Sequence, residues 1–243
     1  MAFIRVLNDW GSVLIDDSFM NIRLASKGNL SINRDVDEGD YQDINYTATN
    51  PEYPPLLAIR CTSHRTTIVR TLKVGNNYTF RIGYMIGLDP SNPSNVTGQF
   101  YIFDSAPKTN SRIGNLCLRN SVGQVVFDSG YDYMNVVDMV YLPGFNNGSQ
   151  PQTNKAYPTD KEYAAVTVSQ GYFWSFSSSY EDVGKYWETD ITYMFSGVVF
   201  SGNTALFQGG VFHSQYLQSQ SSQGQGNSQS GLGVYMIIDV TGL

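Results

Sequence analysis

Residues 120–137, NSVGQVVFDSGYDYMNVV, repeat the pattern of residues 8–22, NDWGSVLIDDSFMNI. A Met-Asn pair closes each copy, and the second copy carries two extra residues before that pair. Two hairpins can share Asn and Gly by chance, because tight turns favour these residues for steric reasons. The alternative is a duplicated β-module, and an internal repeat of that kind sets the whole architecture. Four residues recur at an offset of 112 positions: Asn8 and Asn120, Gly11 and Gly123, Val13 and Val125, Asp16 and Asp128.

The composition favours a rigid β protein. The chain has 243 residues, which suits one large all-β domain or two smaller ones. Only 15% of the residues are charged, whereas the chain contains 17 Tyr, 13 Phe and 23 Gly. Aromatic residues fit the pleated, half-buried surface of a sheet. An apolar content of 41% can supply a hydrophobic core.

The charge is spread unevenly along the chain. Residues 1–119 hold 12 basic and 11 acidic residues, whereas residues 120–243 hold 3 basic and 10 acidic residues. A second half with a net charge of −7 repels phosphate, so we predict that the protein does not bind nucleic acid. The change in composition falls where the second copy of the repeat begins. It therefore supports a domain boundary near residue 113.

Short segments of alternating apolar and polar residues dominate both halves, and turn signals separate them. We therefore predict an all-β fold of two antiparallel β-sandwich-like modules, residues 1–113 and 114–243, with long polar loops and an internal duplication. Residues 33–50 and 143–160 are two of the predicted loops. The segment 218–231 consists only of Gln, Ser, Gly and Asn, so it has no charged and no apolar side chain. Such a segment cannot offset its ordering entropy by burial, so we predict a flexible hairpin loop.

The sequence contains few candidates for catalysis. The two histidines, His64 and His213, each lie next to a serine, and neither belongs to a recognisable catalytic motif. No G-x-S-x-G elbow, phosphate-binding glycine loop or H-E-x-x-H motif is present. The two carboxylates of a glycosidase meet only in space, and nothing in the sequence indicates a particular pair. We predict that the protein is not an enzyme and that it binds no cofactor.

Metal binding is also not expected. Cys61 and Cys117 lack metal-ligand spacing and lie in apolar runs, so we predict buried free thiols. The run DVDEGD, residues 35–40, offers oxygen ligands that suit calcium, but it lacks the spacing and the closing Glu of an EF-hand. A solvated acidic loop is the favoured interpretation of this run.

The amino terminus carries no signal-peptide pattern, because MAFIRVLND leads directly into an alternating segment. No apolar run approaches the roughly 20 residues that a membrane-spanning helix needs. We therefore predict that the protein has no signal peptide and does not insert into a membrane.

Aromatic residues with polar neighbours are concentrated in residues 171–195, GYFWSFSSSYEDVGKYWETDITYMF. Trp174, Tyr180, Tyr186 and Trp187 are the candidate contact residues for a sugar or a protein partner, because aromatic side chains bury much area with few rotors. Packing in the core is the alternative, and the alternating pattern favours it for Trp174. For Tyr180 and Trp187, which flank a turn, both interpretations stay open.

Both copies of the repeat resemble a pattern found in small tail and tail-tip structural proteins of tailed bacteriophages. The pattern is a strand, N-x-x-G, a hydrophobic strand that ends in Asp or Asp-Ser, and then an aromatic residue or Met before another strand. The second copy keeps Asn120, Gly123, Asp128 and Ser129, whereas the first copy has Asp17 where the family prefers Ser. The resemblance covers two short stretches and leaves most of the chain unmatched.

This resemblance implies a non-enzymatic virion component at the tail or tail tip, made in the bacterial host cytoplasm without a signal peptide. Its implied partners are other phage tail proteins and further copies of itself in a homo-oligomer, since tail assemblies are symmetric. Host attachment through a surface glycan or receptor is a further expectation, with residues 143–160 and 218–231 as the presenting loops. Reduced cysteines fit a cytoplasmic route.

Two other classes of function remain open on the sequence. A carbohydrate-binding adhesin or lectin β-sandwich that is not tied to a virion would use the aromatic residues of 171–195 in the same way. A hydrolase would need a cleft with paired carboxylates of shifted pKa.

Overall fold

The computed structural model describes residues 5–7, 13–16, 21–32, 41–85, 95–106, 114–146, 150–182, 184–229 and 231–243. Every regular element in these ranges is a β-strand, and the strands pair in antiparallel sheets that pack in a sandwich-like arrangement. The predicted all-β, sandwich-like fold is therefore confirmed. The acidic run 35–40 lies outside the described residues, so the structure does not test the calcium interpretation.

Eighteen strands follow one another in the described ranges. They are β1 (Arg5–Leu7), β2 (Val13–Asp16), β3 (Ile22–Ile32), β4 (Tyr41–Thr47), β5 (Leu56–Cys61), β6 (Thr66–Val74), β7 (Asn77–Tyr84), β8 (Val96–Ser105), β9 (Cys117–Arg119), β10 (Val125–Asp128), β11 (Asn135–Leu142), β12 (Gln152–Ala156), β13 (Tyr163–Ser169), β14 (Tyr172–Glu181), β15 (Tyr186–Ser201), β16 (Thr204–Ser219), β17 (Gln225–Gln229) and β18 (Gly233–Asp239).

Two large sheets contain most of these strands. One has six strands in the order β11-β18-β13-β5-β8-β3, and the other runs β12-β16-β15-β6-β7-β4, with β14 added to β15 and β17 added to β14. Both sheets take strands from both sides of residue 113, and the pairs β5–β13 and β6–β15 join the halves. The two predicted modules therefore share both sheets. The domain boundary near residue 113 stays a prediction.

The two echoing segments form hairpins with the same register. In the first hairpin Val6 pairs with Ile15, and in the second hairpin Leu118 pairs with Phe127, 112 positions later. The other two pairs of each hairpin match at the same offset, and both hairpins have a register shift at the equivalent place. The repeat in the sequence is thus also a repeat in backbone pairing.

The correspondence continues into the large sheets. Leu30 pairs with Gly98 in β3–β8, and Leu142 pairs with Gly233 in β11–β18, with a bulge at the equivalent place in each pair. The β6–β7 and β15–β16 hairpins both turn on Gly-Asn, and their glycines have positive φ angles of 62° and 60°. Such angles suit glycine because it has no Cβ. Each strand that the first half gives to the two large sheets has a counterpart in the second half, and the counterparts lie at equal distances from the two edges of the same sheet. The matched pairs are β3 and β11, β4 and β12, β5 and β13, β6 and β15, β7 and β16, and β8 and β18. This symmetry supports the duplication hypothesis and leaves β14 and β17 as additions in the second half.

Three apolar clusters hold the sheets together. Two of them lie between the sheets, one in each half of the chain, and the third lies on the other face of the six-stranded sheet. Large side chains such as Phe207 and Tyr235 are fully buried, and burial of each such side chain contributes about 1.5–3 kcal/mol. The third cluster includes Ala58, which pairs with Val166 where the two halves meet.

Three predicted loops contain strands, which corrects the sequence interpretation. Tyr41–Thr47 lies within the predicted loop 33–50, Gln152–Ala156 lies within 143–160, and Gln225–Gln229 lies within the segment 218–231 that was predicted to be flexible. All three are short strands whose residues are mostly exposed. Backbone hydrogen bonds to a neighbouring strand hold them in place. Because few of their side chains face a core, their sequences show little alternation of apolar and polar residues.

Candidate functional site

The candidate site lies on an extension of the eight-stranded sheet. Strands β15 and β16 have 16 residues each, whereas their counterparts β6 and β7 have 9 and 8. The extra length pairs with β14 and β17 to give a four-stranded unit in the order β17-β14-β15-β16. We call this unit the arm; it consists of β14, β17, residues 186–195 of β15 and residues 211–219 of β16.

Strand pairing divides the arm into two faces, because directly paired residues point to the same side of an antiparallel sheet. Trp174 pairs with Tyr193, which pairs with His213. Every second residue along each strand points to this same side of the sheet. We call this side the aromatic face; it carries Trp174, Phe176, Tyr180, Trp187, Ile191, Tyr193, His213 and Leu217.

The rings of the aromatic face form two clusters. In the first cluster Trp174 lies 5.5 Å from Phe176 and 6.4 Å from Tyr193, measured between ring centroids, with nearly parallel planes. In the second cluster Tyr180 lies 5.5 Å from Trp187, its direct partner on the neighbouring strand. Each such aromatic pair contributes about 0.5–1.5 kcal/mol beyond the area it buries. The contacts hold the rings in place and leave part of their surface open.

A groove of about 370 Å³ lies between the two ring clusters. Its size falls within the range of about 300–1,000 Å³ that is usual for small-molecule sites. None of its described lining residues is charged. Its lining combines apolar surface with hydroxyl and amide groups. The apolar residues are Phe176, Ile191 and Leu217, and the polar residues are Thr189, Gln218, Ser219 and Gln223.

The connection between β16 and β17 forms one wall of this groove. The backbone N–H of Gln223 donates to Ser178 Oγ at 3.1 Å, and the backbone N–H of Ser178 donates to the carbonyl oxygen of Gly224 at 2.9 Å. The hydroxyls of Ser178 and Thr189 are 2.7 Å apart. These hydrogen bonds fix the connection to the same side of the arm as the aromatic rings.

The opposite face of the arm is acidic and polar. Glu188 accepts hydrogen bonds from the phenols of Tyr186 and Tyr216 there. The hydrogen bond to Glu188 and loss of water contact raise the pKa of Tyr216 to about 12. Burial, followed by the hydrogen bond to Glu188, also raises the pKa of Tyr186. Both phenols therefore stay protonated near neutral pH and serve as donors.

The structure thus brings together three of the four predicted contact residues. Trp174, Tyr180 and Trp187 share the aromatic face, whereas Tyr186 lies on the opposite face. Trp174 is half-buried against its neighbouring rings, and Phe173 is the residue of this strand that turns to the buried side.

Sequence reasoning missed the other members of the aromatic face and the residues of the groove. These are Phe176, Thr189, Ile191, Tyr193, His213, Leu217, Gln218, Ser219 and Gln223. A period of two, applied from Trp174 along β14 and from Trp187 along β15, could have found those on the first two strands. The same rule could not have found the residues on β16, because the sequence of one strand does not show its register with the neighbouring strand.

The repeated hairpin motif has a structural role in its second copy. Asn120 Oδ1 accepts from the backbone N–H groups of Val122 and Gln124 at 3.2 and 2.9 Å, and Gly123 has a φ of +81°. Asp128 is fully buried, and its Oδ1 accepts from the backbone of Gly114 and Gly130. The motif therefore encodes the turn and its anchoring. The side chains of the first copy lie outside the described residues.

We expect Gly123→Ala to lower the free energy of unfolding by about 1–2 kcal/mol, because a Cβ is disfavoured at a positive φ. A Cβ at this position would meet no atom within 4 Å, so crowding contributes nothing. Gly231→Ala is the matched control, since that site is equally open and lacks a positive φ. Urea unfolding of both variants checks the prediction. Equal stability of the two variants would contradict the proposed role of the turn.

Other candidate chemistry is sparse in the part of the chain that the structure describes. His213 lies 6.2 Å from Tyr193, and the ring of His64 lies 5.5 Å from that of Tyr84. Cys61 is buried and Cys117 is partly buried, and both are free thiols. No group of three His, Cys, Asp or Glu residues in the described ranges could hold a metal ion. Within the same ranges no helix combines the length and the apolar character that a membrane crossing requires.

Comparison of the chain with protein-family models, curated proteins and solved structures gave no match. No relative therefore supplies a catalytic or binding residue. The candidate site rests on the aromatic face and the groove of the arm.

Proposed function

We propose that the protein is a non-enzymatic structural protein of a tailed-phage virion, at the tail or tail tip, where it docks on other tail proteins. The hairpin motif carries this proposal, because it resembles small tail proteins and occurs twice with the same pairing register. In this proposal the two shared sheets are the scaffold. The arm presents its aromatic face to a neighbouring tail protein or to the host surface.

The surface chemistry supports an assembling protein. Only 15% of the residues are charged, so hydroxyl and amide groups provide much of the polar surface. Short polar strands such as β12 and β17 lie at sheet edges, where unpaired backbone groups can accept another strand. We accordingly propose a homo-oligomer or a set of copies bound to a ring of tail proteins.

The test is mass spectrometry and negative-stain immunolabelling of purified particles. The proposal expects the protein among the virion components, with antibody bound at one end of the tail. Antibody against a capsid protein is the control for particle identity. Absence of the protein from intact particles would overturn the virion proposal.

A carbohydrate-binding adhesin or lectin outside a virion is the second candidate. Its support is the aromatic face with an uncharged groove, because aromatic surfaces with a few polar groups are common in ligand sites. The neighbouring genes discriminate the two candidates. Tail genes on both sides favour the virion protein, whereas polysaccharide genes favour the adhesin.

A further inference from the structure

We infer that the groove of the arm binds an uncharged saccharide unit. This inference rests on the attachment role that the proposed function gives to the arm, and it names the ligand class. The groove lies on the aromatic face between the ring clusters of Trp174 and Trp187, and Phe176, Ile191 and Leu217 form its apolar part.

The chemistry of the lining selects the ligand class. A sugar ring has an apolar face of C–H groups and a rim of hydroxyls, so it needs an apolar surface beside neutral donors and acceptors. The groove offers the ring of Phe176 beside Ser219 and Gln223. A purely apolar ligand would leave these polar groups without partners, which is costly when they are desolvated.

The charges of the arm argue against an ionic ligand. Glu188 pairs with Gln218 and Asp190 pairs with Tyr216, and neither carboxylate is among the described lining residues of the groove. No described lining residue is basic, and an acidic sugar would therefore find no counter-ion there. The surplus of acidic residues in residues 120–243 further disfavours anions.

The backbone prepares the groove for binding. Gly226 pairs with Phe176, and a Cβ at Gly226 would lie 2.7 Å from an atom of the Phe176 ring. The glycine therefore leaves room for the ring at the groove. Strand β17 and the hydrogen bonds to Ser178 hold the opposite wall. A site that is ordered before binding loses less entropy when the ligand arrives.

The dimensions of the face allow more than one sugar unit. Trp174 and Tyr180 are six residues apart on one strand, which corresponds to roughly 20 Å at the usual rise of a β-strand. The two ring clusters therefore flank the groove at both ends. A short oligosaccharide can contact the groove and at least one ring cluster together.

The experiment is a glycan array probed with the full chain, carrying uncharged hexose and N-acetylhexosamine oligosaccharides beside sialylated and uronic-acid oligosaccharides. Calorimetric titration then follows with the best neutral oligosaccharide. Leu217→Glu places a carboxylate in the groove at a side chain that is 39% exposed, and we expect at least a tenfold loss of affinity. Leu232→Glu is the matched control, because Leu232 is 53% exposed and does not line the groove.

A second pair of variants tests the polar wall. Gln223→Ala removes an amide beside the groove, and loss of one hydrogen bond corresponds to a roughly tenfold weaker affinity. Gln220→Ala changes the same residue type in the same connection without altering the groove lining, so we expect unchanged affinity. Circular dichroism of all four variants checks that the sheets are retained.

The outcomes separate this inference from the virion proposal. Binding of a neutral oligosaccharide that Leu217→Glu abolishes and Leu232→Glu retains supports the groove. No binding of neutral oligosaccharides, binding of acidic ones alone, or self-association that depends on Leu217 would overturn it. Immunolabelling of particles tests the virion proposal independently, so each of the two proposals can be contradicted without the other.

Discussion

Replacement of Phe207 by alanine is expected to lower the free energy of unfolding by about 3–5 kcal/mol, because truncation of a buried aromatic ring leaves a cavity. Phe207 is fully buried in the core of the second half, and its ring centroid lies 5.1 Å from that of Tyr235. The loss is also expected to destabilise the first half, because the strand pairs β5–β13 and β6–β15 join the halves. Urea unfolding followed by far-ultraviolet circular dichroism measures the total.

The same variant distinguishes one cooperative unit from two independent modules. Hydrogen exchange at amides of the first core, such as those of Phe80 and Ile82, should accelerate in Phe207→Ala if the halves unfold together. Tyr141→Ala is the control, since Tyr141 is 61% exposed and a surface substitution usually changes stability by only about 0.5 kcal/mol. Unchanged exchange in the first half, with accelerated exchange in the second, would favour separate modules.

The fold class was accessible from the sequence because strands facing a core leave a period of two. Asn77–Tyr84 shows it, with Tyr78, Phe80 and Ile82 buried in alternation. Leu56–Cys61 and Gly233–Asp239 are instead short, almost continuous apolar runs, which are typical of strands buried on both faces. Edge strands such as Gln152–Ala156 and Gln225–Gln229 could not be predicted from the sequence, because their side chains are mostly exposed and backbone hydrogen bonds hold them. The shared sheets were hidden too, since pairing between distant strands depends on long-range contacts.

The candidate site was accessible only in part. The concentration of aromatic residues in 171–195 pointed to the correct two strands of the arm. The assignment of Trp187 and Tyr186 to opposite faces follows from alternation, which sequence reasoning did not apply to adjacent residues. The groove depends in part on Ser219 and Gln223, which come from the segment 218–231, whose lack of charge suggested flexibility. Register and the path of a connection decide such a site, and neither has a local signature.

Asp128→Ala is expected to lower the free energy of unfolding by about 2–5 kcal/mol. The variant removes the buried carboxylate that accepts from the backbone N–H groups of Gly114 and Gly130. A hydrogen bond to a charged group contributes about 1.5–3 kcal/mol, and less where the donor is partly exposed, as it is in both glycines. The hairpin that Asp128 anchors also contacts β3, where the backbone N–H of Leu24 donates to Asp132 at 2.7 Å and that of Met134 donates to Ile22 at 2.9 Å. We therefore expect faster hydrogen exchange at Leu24 and Met134, in addition to the lower midpoint of urea unfolding.

Asp128→Asn is the matched control for this prediction. It removes the charge but keeps an Oδ1 that can accept from both glycines, so its loss of stability should be clearly smaller than that of Asp128→Ala. This order follows if the Asp that recurs in the repeat serves as a hydrogen-bond acceptor in the turn. If both variants kept the stability of the parent protein, the proposed role of Asp128 as the anchor of the hairpin turn would be wrong.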